Sequence, residues 1–596
     1  MALPPLPKRS APHKLTLMPS IAQLRRITAF LIAPFLLAGC ATTTAERAQP
    51  APLAERADPG LVSAADPRAA EAGAEMLRKG GSATDAAIAT MIALSVVEPQ
   101  SSGLGGGGFF VRGTGDGDVV TIDGRETAPA AASPRWFLKN DGPLPFRDAV
   151  LSGLSVGVPG NVRLAAQAHR RYGKLPWADL FAPAIALARD GFRISPRFHA
   201  MLSRNDFRAG RTAVGRALFY DETGAPLPVG TSVKNVALAD FLQKIAREGA
   251  DTFYTGTAAT TLADTVASDT PRGHAMTAAD VEAYQAKERT PVCGNYRGWR
   301  ICGMGPPSSG ATTVFATLKQ LERFDLAALG STSPVAWHLI AESQRLAYAD
   351  RALYLADADF VSVPVEGLVD PAYLAARSAL ISPVNTMEAV EAGVPAAVAK
   401  DDLRAIGTGP DESGTSHFVA IDRAGTAVSY TSTIEGPFGS GLMWNGLYLN
   451  NELTDFSFVP EDNGRPVANR VEGGKRPRSS MSPTIAYAPD GRLAIAVGAA
   501  GGTTIPAQVV RALVGMIDWK LSPQQALALP VIFAPEDTVF VEQGSALEAM
   551  IPSLAELGHK TITARDLPLK SNAAMWDGTR WIGAADPRSE GTSISE

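Results

Sequence analysis

The chain has 596 residues, 45% hydrophobic and 19% charged, with a net charge of −5. This is ordinary globular composition at a length well beyond one small core, which excludes fibrous and disordered classes. The slight acidity, with both signs mixed and no basic block, argues against nucleic acid as a partner.

Lys8, Lys14, Arg25 and Arg26 precede an apolar run over 27–38 that ends in Leu37-Ala38-Gly39-Cys40. A charged start, short apolar middle and small-residue end describe an export signal and not a membrane span. The last four residues resemble a bacterial lipobox. Residues 1–39 are therefore read as a lipoprotein signal peptide and Cys40 as the lipidated residue, with an ordinary cleaved signal as the alternative. Residues 40–61, rich in Ala, Thr, Pro and charge, read as a tether. The expected location is the periplasmic face of a bacterial envelope, with membrane contact through the lipid only.

Apolar spacing predicts a helix over 67–79, stopped by Gly80-Gly81. Ser82 then caps a helix over 83–97, with Asp85 in its first turn. That helix is apolar nearly all round and is expected to be buried. The run Gly103-Leu104-Gly105-Gly106-Gly107-Gly108 fits G-x-G-x-x-G, but it lies between a helix and a strand. A dinucleotide site needs strand, loop, then helix. Residues 160–350 are mostly helical patterns, such as 176–190 and 333–356. Cys293 and Cys302 fall on opposite arms of a strand-turn-strand pattern, so they form either a disulfide, which an exported chain can keep, or two buried thiols. Residues 380–413 hold little periodicity and lead into the glycine-containing stretch 407–414. Strand-like runs follow at 415–422 and 426–434. The first is apolar on both faces, as a strand sandwiched between layers must be. Strands at 482–487 and 493–498 and a helix at 506–518 complete the pattern. The coarse architecture is sheets covered by helices on both sides.

The seven histidines are scattered, no Cys/His cluster has metal spacing, and Walker A and G-x-S-x-G motifs are missing. No metal or organic cofactor is implied. What stands out is Gly414-Thr415-Ser416-His417-Phe418, a flexible stretch running into a buried strand that opens with a hydroxyl. A self-cleaving precursor needs this arrangement. The Thr415 hydroxyl attacks the Gly414 carbonyl, and the freed α-amine later takes the hydroxyl proton. By itself, a threonine after glycine is also an ordinary strand residue.

The segment Thr415-Ser416-His417-Phe418-Val419-Ala420-Ile421-Asp422 resembles the start of the small subunit in the γ-glutamyltranspeptidase family. Further likeness lies in Asp123-Gly124-Arg125-Glu126, Pro306-Pro307-Ser308-Ser309-Gly310, Thr431-Ser432-Thr433-Ile434-Glu435, and the stretches 449–456 and 475–484, and it runs from about residue 62 onward. The resemblance implies an α+β fold, the four-layer αββα sandwich of N-terminal-nucleophile hydrolases. It also implies autoprocessing between Gly414 and Thr415 into a large subunit, 62–414, and a small catalytic subunit, 415–596. Thr415 would be the nucleophile and Thr433 its activating partner. Gly501 and Gly502 would present N–H groups to the oxyanion. Arg125, Ser479 and Ser480 would bind the substrate α-carboxylate, and Glu435, Glu452 and Asp455 the α-amine. The implied reaction takes a γ-glutamyl group from glutathione or a related donor, through an ester on Thr415, to water or an amino acid or peptide. The alternatives are a glutaryl or cephalosporin acylase on the same scaffold, and a silent envelope-binding protein. The chain departs from the family in three places. Ser416 replaces a common threonine, Glu435 replaces a common asparagine, and the lid segment 456–474 is short and lacks a gating tyrosine.

Overall fold

The computed structural model describes residues 59–272, 275–396, 398, 404–407 and 414–596. The signal peptide, Cys40 and most of the tether lie outside the described residues.

The chain opens with β1 (Leu61–Ala64), α1 (Pro67–Arg78) and α2 (Ala83–Val97). The tether boundary drawn at 61 thus falls inside β1. Asp66 caps α1 ahead of Pro67, whose missing N–H costs nothing at a helix start. Ser82 and Asp85 form a reciprocal capping box, and every residue of α2 is buried, as its all-round apolarity predicts. Next come β2 (Gly107–Gly113), β3 (Val119–Asp123), β4 (Lys287–Arg289), β5 (Val292–Tyr296) and β6 (Trp299–Gly303). Helices and two small two-stranded sheets fill the span between β3 and β4. The predicted helix over 176–190 is two pieces, a 3-10 turn Trp177–Phe181 and a helix Ala182–Asp190. Pro183 lacks the N–H that would continue the earlier turn, so the helix restarts there. Helices α3 (Gly310–Leu321) and α4 (Pro334–Tyr354) follow. The C-terminal part contributes β7 (Gly414–Ile421), β8 (Ala427–Glu435), β9 (Thr484–Tyr487), β10 (Leu493–Ala500), α5 (Ile505–Ile517), β11 (Lys570–Trp576), β12 (Trp581–Ala585) and β13 (Thr592–Ser595).

Two sheets form the centre. The first has the order β13-β1-β7-β8-β2-β3-β4, the second β12-β11-β10-β9-β6-β5. Alternation along β7 shows the layering. Phe418 and Ala420 join the core shared with α1 and α2, while Val419 and Ile421 join the core between the sheets and beneath α5. The result is the four-layer αββα sandwich. Cys293 and Cys302 are directly opposite across β5 and β6, and their sulfurs are bonded.

Candidate active site

Thr415 lies opposite Thr433 where β7 and β8 pair, and the register slips between Gly414 and Thr415. The Thr433 hydroxyl donates to the Gly414 carbonyl at 2.9 Å and accepts the Glu435 N–H at 2.8 Å. A hydroxyl has one proton to give. The 3.2 Å contact between the two hydroxyls therefore has Thr415 as donor. One side chain thus draws on the Thr415 proton and polarises the Gly414 carbonyl together. His417, two residues on, is fully buried, and burial alone pulls its imidazole down to about 3. Its Nδ1 meets the Thr431 hydroxyl at 2.8 Å. A ring that stays neutral in this way is a structural hydrogen-bonder. Gly498 makes room for it, since a Cβ there would lie 2.3 Å from the imidazole.

Thr415 opens onto a cavity of about 420 Å³ that Thr433, Glu435, Arg125, Asp455, Ser479, Ser480 and Gly502 also line. Gly501 lies on the other side of Thr415, against a second cavity. Both glycines have positive φ, 135° and 59°, in the turn from β10 toward α5. A side chain at Gly501 would strike the Pro568 carbonyl at 2.2 Å. Gly502 and Ile505 bring the positive end of α5 to the cavity wall.

Arg125, fully buried just after β3, makes ion pairs with Glu452 and Asp455. Its Nε and Nη2 also donate to the carbonyls of Pro477 and Arg478 at 3.2 and 3.1 Å. Burial opposes its charge, but Glu452 and Asp455 outweigh that and hold its pKa above the ordinary value. Glu435, Glu452 and Asp455 bring carboxylate oxygens within 4.8 Å of one another. Glu452 nevertheless backs Arg125 from behind and does not line the cavity. Ser480 accepts from Arg351 at 2.6 Å, and Arg351 and Arg478 line the same cavity. The sequence reading set Arg125 alone against Glu435, Glu452 and Asp455, and the structure corrects this by adding Arg351 from α4 and Arg478 from the stretch 475–484.

The gamma-glutamyltranspeptidase family model matches residues 69–595. The chain belongs to this family. It is 37% identical over 509 residues to a glutathione hydrolase proenzyme of Bacillus subtilis (strain 168), covering 84% of this chain and 85% of that one. It is 35% identical over 553 residues to the corresponding Escherichia coli (strain K12) proenzyme, covering 90% and 91%. A cephalosporin acylase structure from Bacillus halodurans matches with TM-score 0.77 at 25% identity, covering 92% of this chain and 98% of that one. The sandwich is the N-terminal-nucleophile hydrolase fold of the γ-glutamyltranspeptidase family.

Within this γ-glutamyltranspeptidase site, three residues had no assigned role from sequence. Arg351 and Arg478 are two. Arg351 shares its helix with the likewise buried Glu342, Arg345 and Asp350, so its charge alone did not single it out. The third is Glu126, a fully buried carboxyl held against Glu452. Burial, then the neighbouring Glu452, pushes its carboxyl well above the usual range. The lid segment contributes Ser457 and Asn469 to the cavity wall, and Phe458 anchors it by stacking on Phe137 at 4.2 Å. Ile406 and Gly407, from the stretch before Thr415, line the cavity too, and Ala405 bridges to Val467 of the lid.

Proposed function

We propose that this γ-glutamyltransferase/hydrolase matures by cutting itself between Gly414 and Thr415 and then works through Thr415. The observation that carries the reading is the Thr433 hydroxyl, bonded to the Thr415 hydroxyl and to the Gly414 carbonyl. In the precursor, Thr415 Oγ1 adds to the Gly414 carbonyl carbon. The C–N bond breaks, the nitrogen takes the proton, and water hydrolyses the resulting ester. The products are a Gly414 carboxylate and a free Thr415 α-amine. In the mature enzyme that amine accepts the Thr415 proton as Oγ1 attacks the donor amide. N–H groups at Gly501 and Gly502 steady the oxyanion. The leaving amine departs with a proton, and water or an amino group then takes the γ-glutamyl group from Thr415.

The donor is glutathione or a related γ-glutamyl amide, as the names of the Bacillus and Escherichia relatives suggest. Its α-carboxylate would meet the arginine side of the cavity with Ser479 and Ser480, and its α-ammonium would meet Glu435 and Asp455. Cys40 would carry a lipid that holds the exported enzyme to the envelope. One observation favours a second reading, glutaryl acylation. Asp455 and Glu452 are already paired with Arg125, so a donor lacking the ammonium does not leave them bare. The experiment is a denaturing gel and a rate. Wild type should give two chains and turn over γ-glutamyl-p-nitroanilide at least tenfold faster than glutaryl-p-nitroanilide, while Thr415→Ala should stay one inactive chain. Cleavage in Thr415→Ala would overturn the processing chemistry, and a glutaryl preference would overturn the donor.

A further inference from the structure

The second cavity at Thr415, about 370 Å³, is lined by Gly501, Lys570, Arg197 and Arg204 among others. Lys570, the first residue of β11, is buried. Its Nζ lies 3.0 Å from Glu98 Oε2 and 3.2 Å from the hydroxyls of both Ser101 and Ser416. Ser416 itself donates to Glu98 at 2.6 Å. Glu98 ends α2 and is also approached by Arg197, whose Nε is 4.0 Å from its other oxygen. Two cations therefore share one carboxylate, next to the residue that follows the nucleophile. None of this network takes part in the chemistry derived above.

We propose that Lys570 is a positioning residue for the nucleophile: its ammonium, tied to the Ser416 hydroxyl, holds the freed Thr415 α-amine in the neutral form that accepts the hydroxyl proton. The inference rests on the reading of Thr415 as a freed N-terminus. The other charged groups around that amine leave this role open. On the donor side Glu435 ends β8, and Asp455 is paired with Arg125. Arg351, Arg478, Arg565 and Glu536 line the same cavity. On the β11 side Glu542 is paired with Arg588, Asp566 and Arg204 are exposed, and Asp66 is held by Arg68. His417 is neutral at working pH. Burial pulls the Lys570 ammonium down to about 8 against the support of Glu98, so the cation is present through neutrality. A unit charge within about 10 Å moves a titration by roughly one unit at the effective dielectric of a protein.

The test is the pH profile of kcat/KM on γ-glutamyl-p-nitroanilide for wild type, Lys570→Met and Lys570→Arg. Without the cation the amine keeps its proton to higher pH, so the acid limb of Lys570→Met should move up by about one unit. Lys570→Arg should keep the wild-type limb. An unmoved limb in Lys570→Met, or the same shift in both variants, would overturn the proposal. Should Lys570→Met fail to mature, competitive acetylation of the wild-type Thr415 amine decides. Half-reaction below the ordinary α-amino range of about 7.7–8.0 supports the role, and a value within or above it removes it. N-terminal sequencing keeps the two readings apart. Without a chain beginning at Thr415 the processing reading fails, whereas a processed enzyme with an unmoved limb loses only the role of Lys570.

Discussion

Thr433 spends its single proton on the Gly414 carbonyl, and that fixes what it does for Thr415. Thr433→Val keeps the shape and removes both effects. Processing should slow by about 10²-fold or more, the usual loss for one donor at a developing oxyanion, as read by the gel time course of freshly made precursor. His417 makes a different prediction. The unfolded chain takes up a proton on this ring near the ordinary value of about 6.5, whereas the folded chain resists until about 3. Stability should therefore fall as pH drops from about 6.5 toward 3, by at most about 5 kcal/mol, with no further loss from this group below that. Urea unfolding of His417→Gln should show a shallower decline across the same window. Residues such as Thr415, Thr433 and Ser479 were legible because they sit in contiguous motifs. Arg478 and Glu126 lie in those same motifs, beside Ser479 and Arg125, but the cavity wall and the buried Glu452 they face are set by folding, and Arg351 lies outside every motif. Arg351 meets Ser480 from 129 positions away, and sequence spacing carries no trace of that.

At the scale of elements, α2 was legible to the residue. Its capping box marks the start, and its uniform apolarity marks its burial. The helix near 176–190 was misread because apolar spacing continued through Pro183, where the backbone cannot. The strand pair around Thr415 was visible as two apolar runs, but the register slip that presents Thr415 was not, since a bulge adds no periodic signal. Gly498 on β10 tests how closely the two sheets approach. Its missing side chain is the space in which the His417 ring sits, with a Cβ separation of 2.3 Å. Gly498→Ala should lower stability by about 1–3 kcal/mol, the usual penalty for overpacking, and should displace the ring from Thr431. Thermal melting at neutral pH reads the first effect. An unchanged melting temperature would mean the sheets can part at no cost.

At the scale of the molecule, the layered architecture followed from strands apolar on both faces, but the order of strands did not. The first sheet takes β13, β7 and β8 from beyond Gly414, and β1, β2, β3 and β4 from before it. β7 lies between β1 and β8, so each side of the proposed cut contributes a strand to the other's hydrogen bonding. The second sheet is mixed in the same way, with β9 against β6. A peptide bond broken at residue 414 therefore severs the covalent thread without creating a boundary along which the halves can slide apart. The two products should stay assembled as one native body. Ultracentrifugation at nanomolar and micromolar concentration should give one species of full mass, while the melting temperature should fall on dilution once the chain is cut, because unfolding then releases two chains, and should stay constant for uncut Thr415→Ala. The chain would thus gain a new N-terminus in its interior while its two products stay interleaved in both sheets.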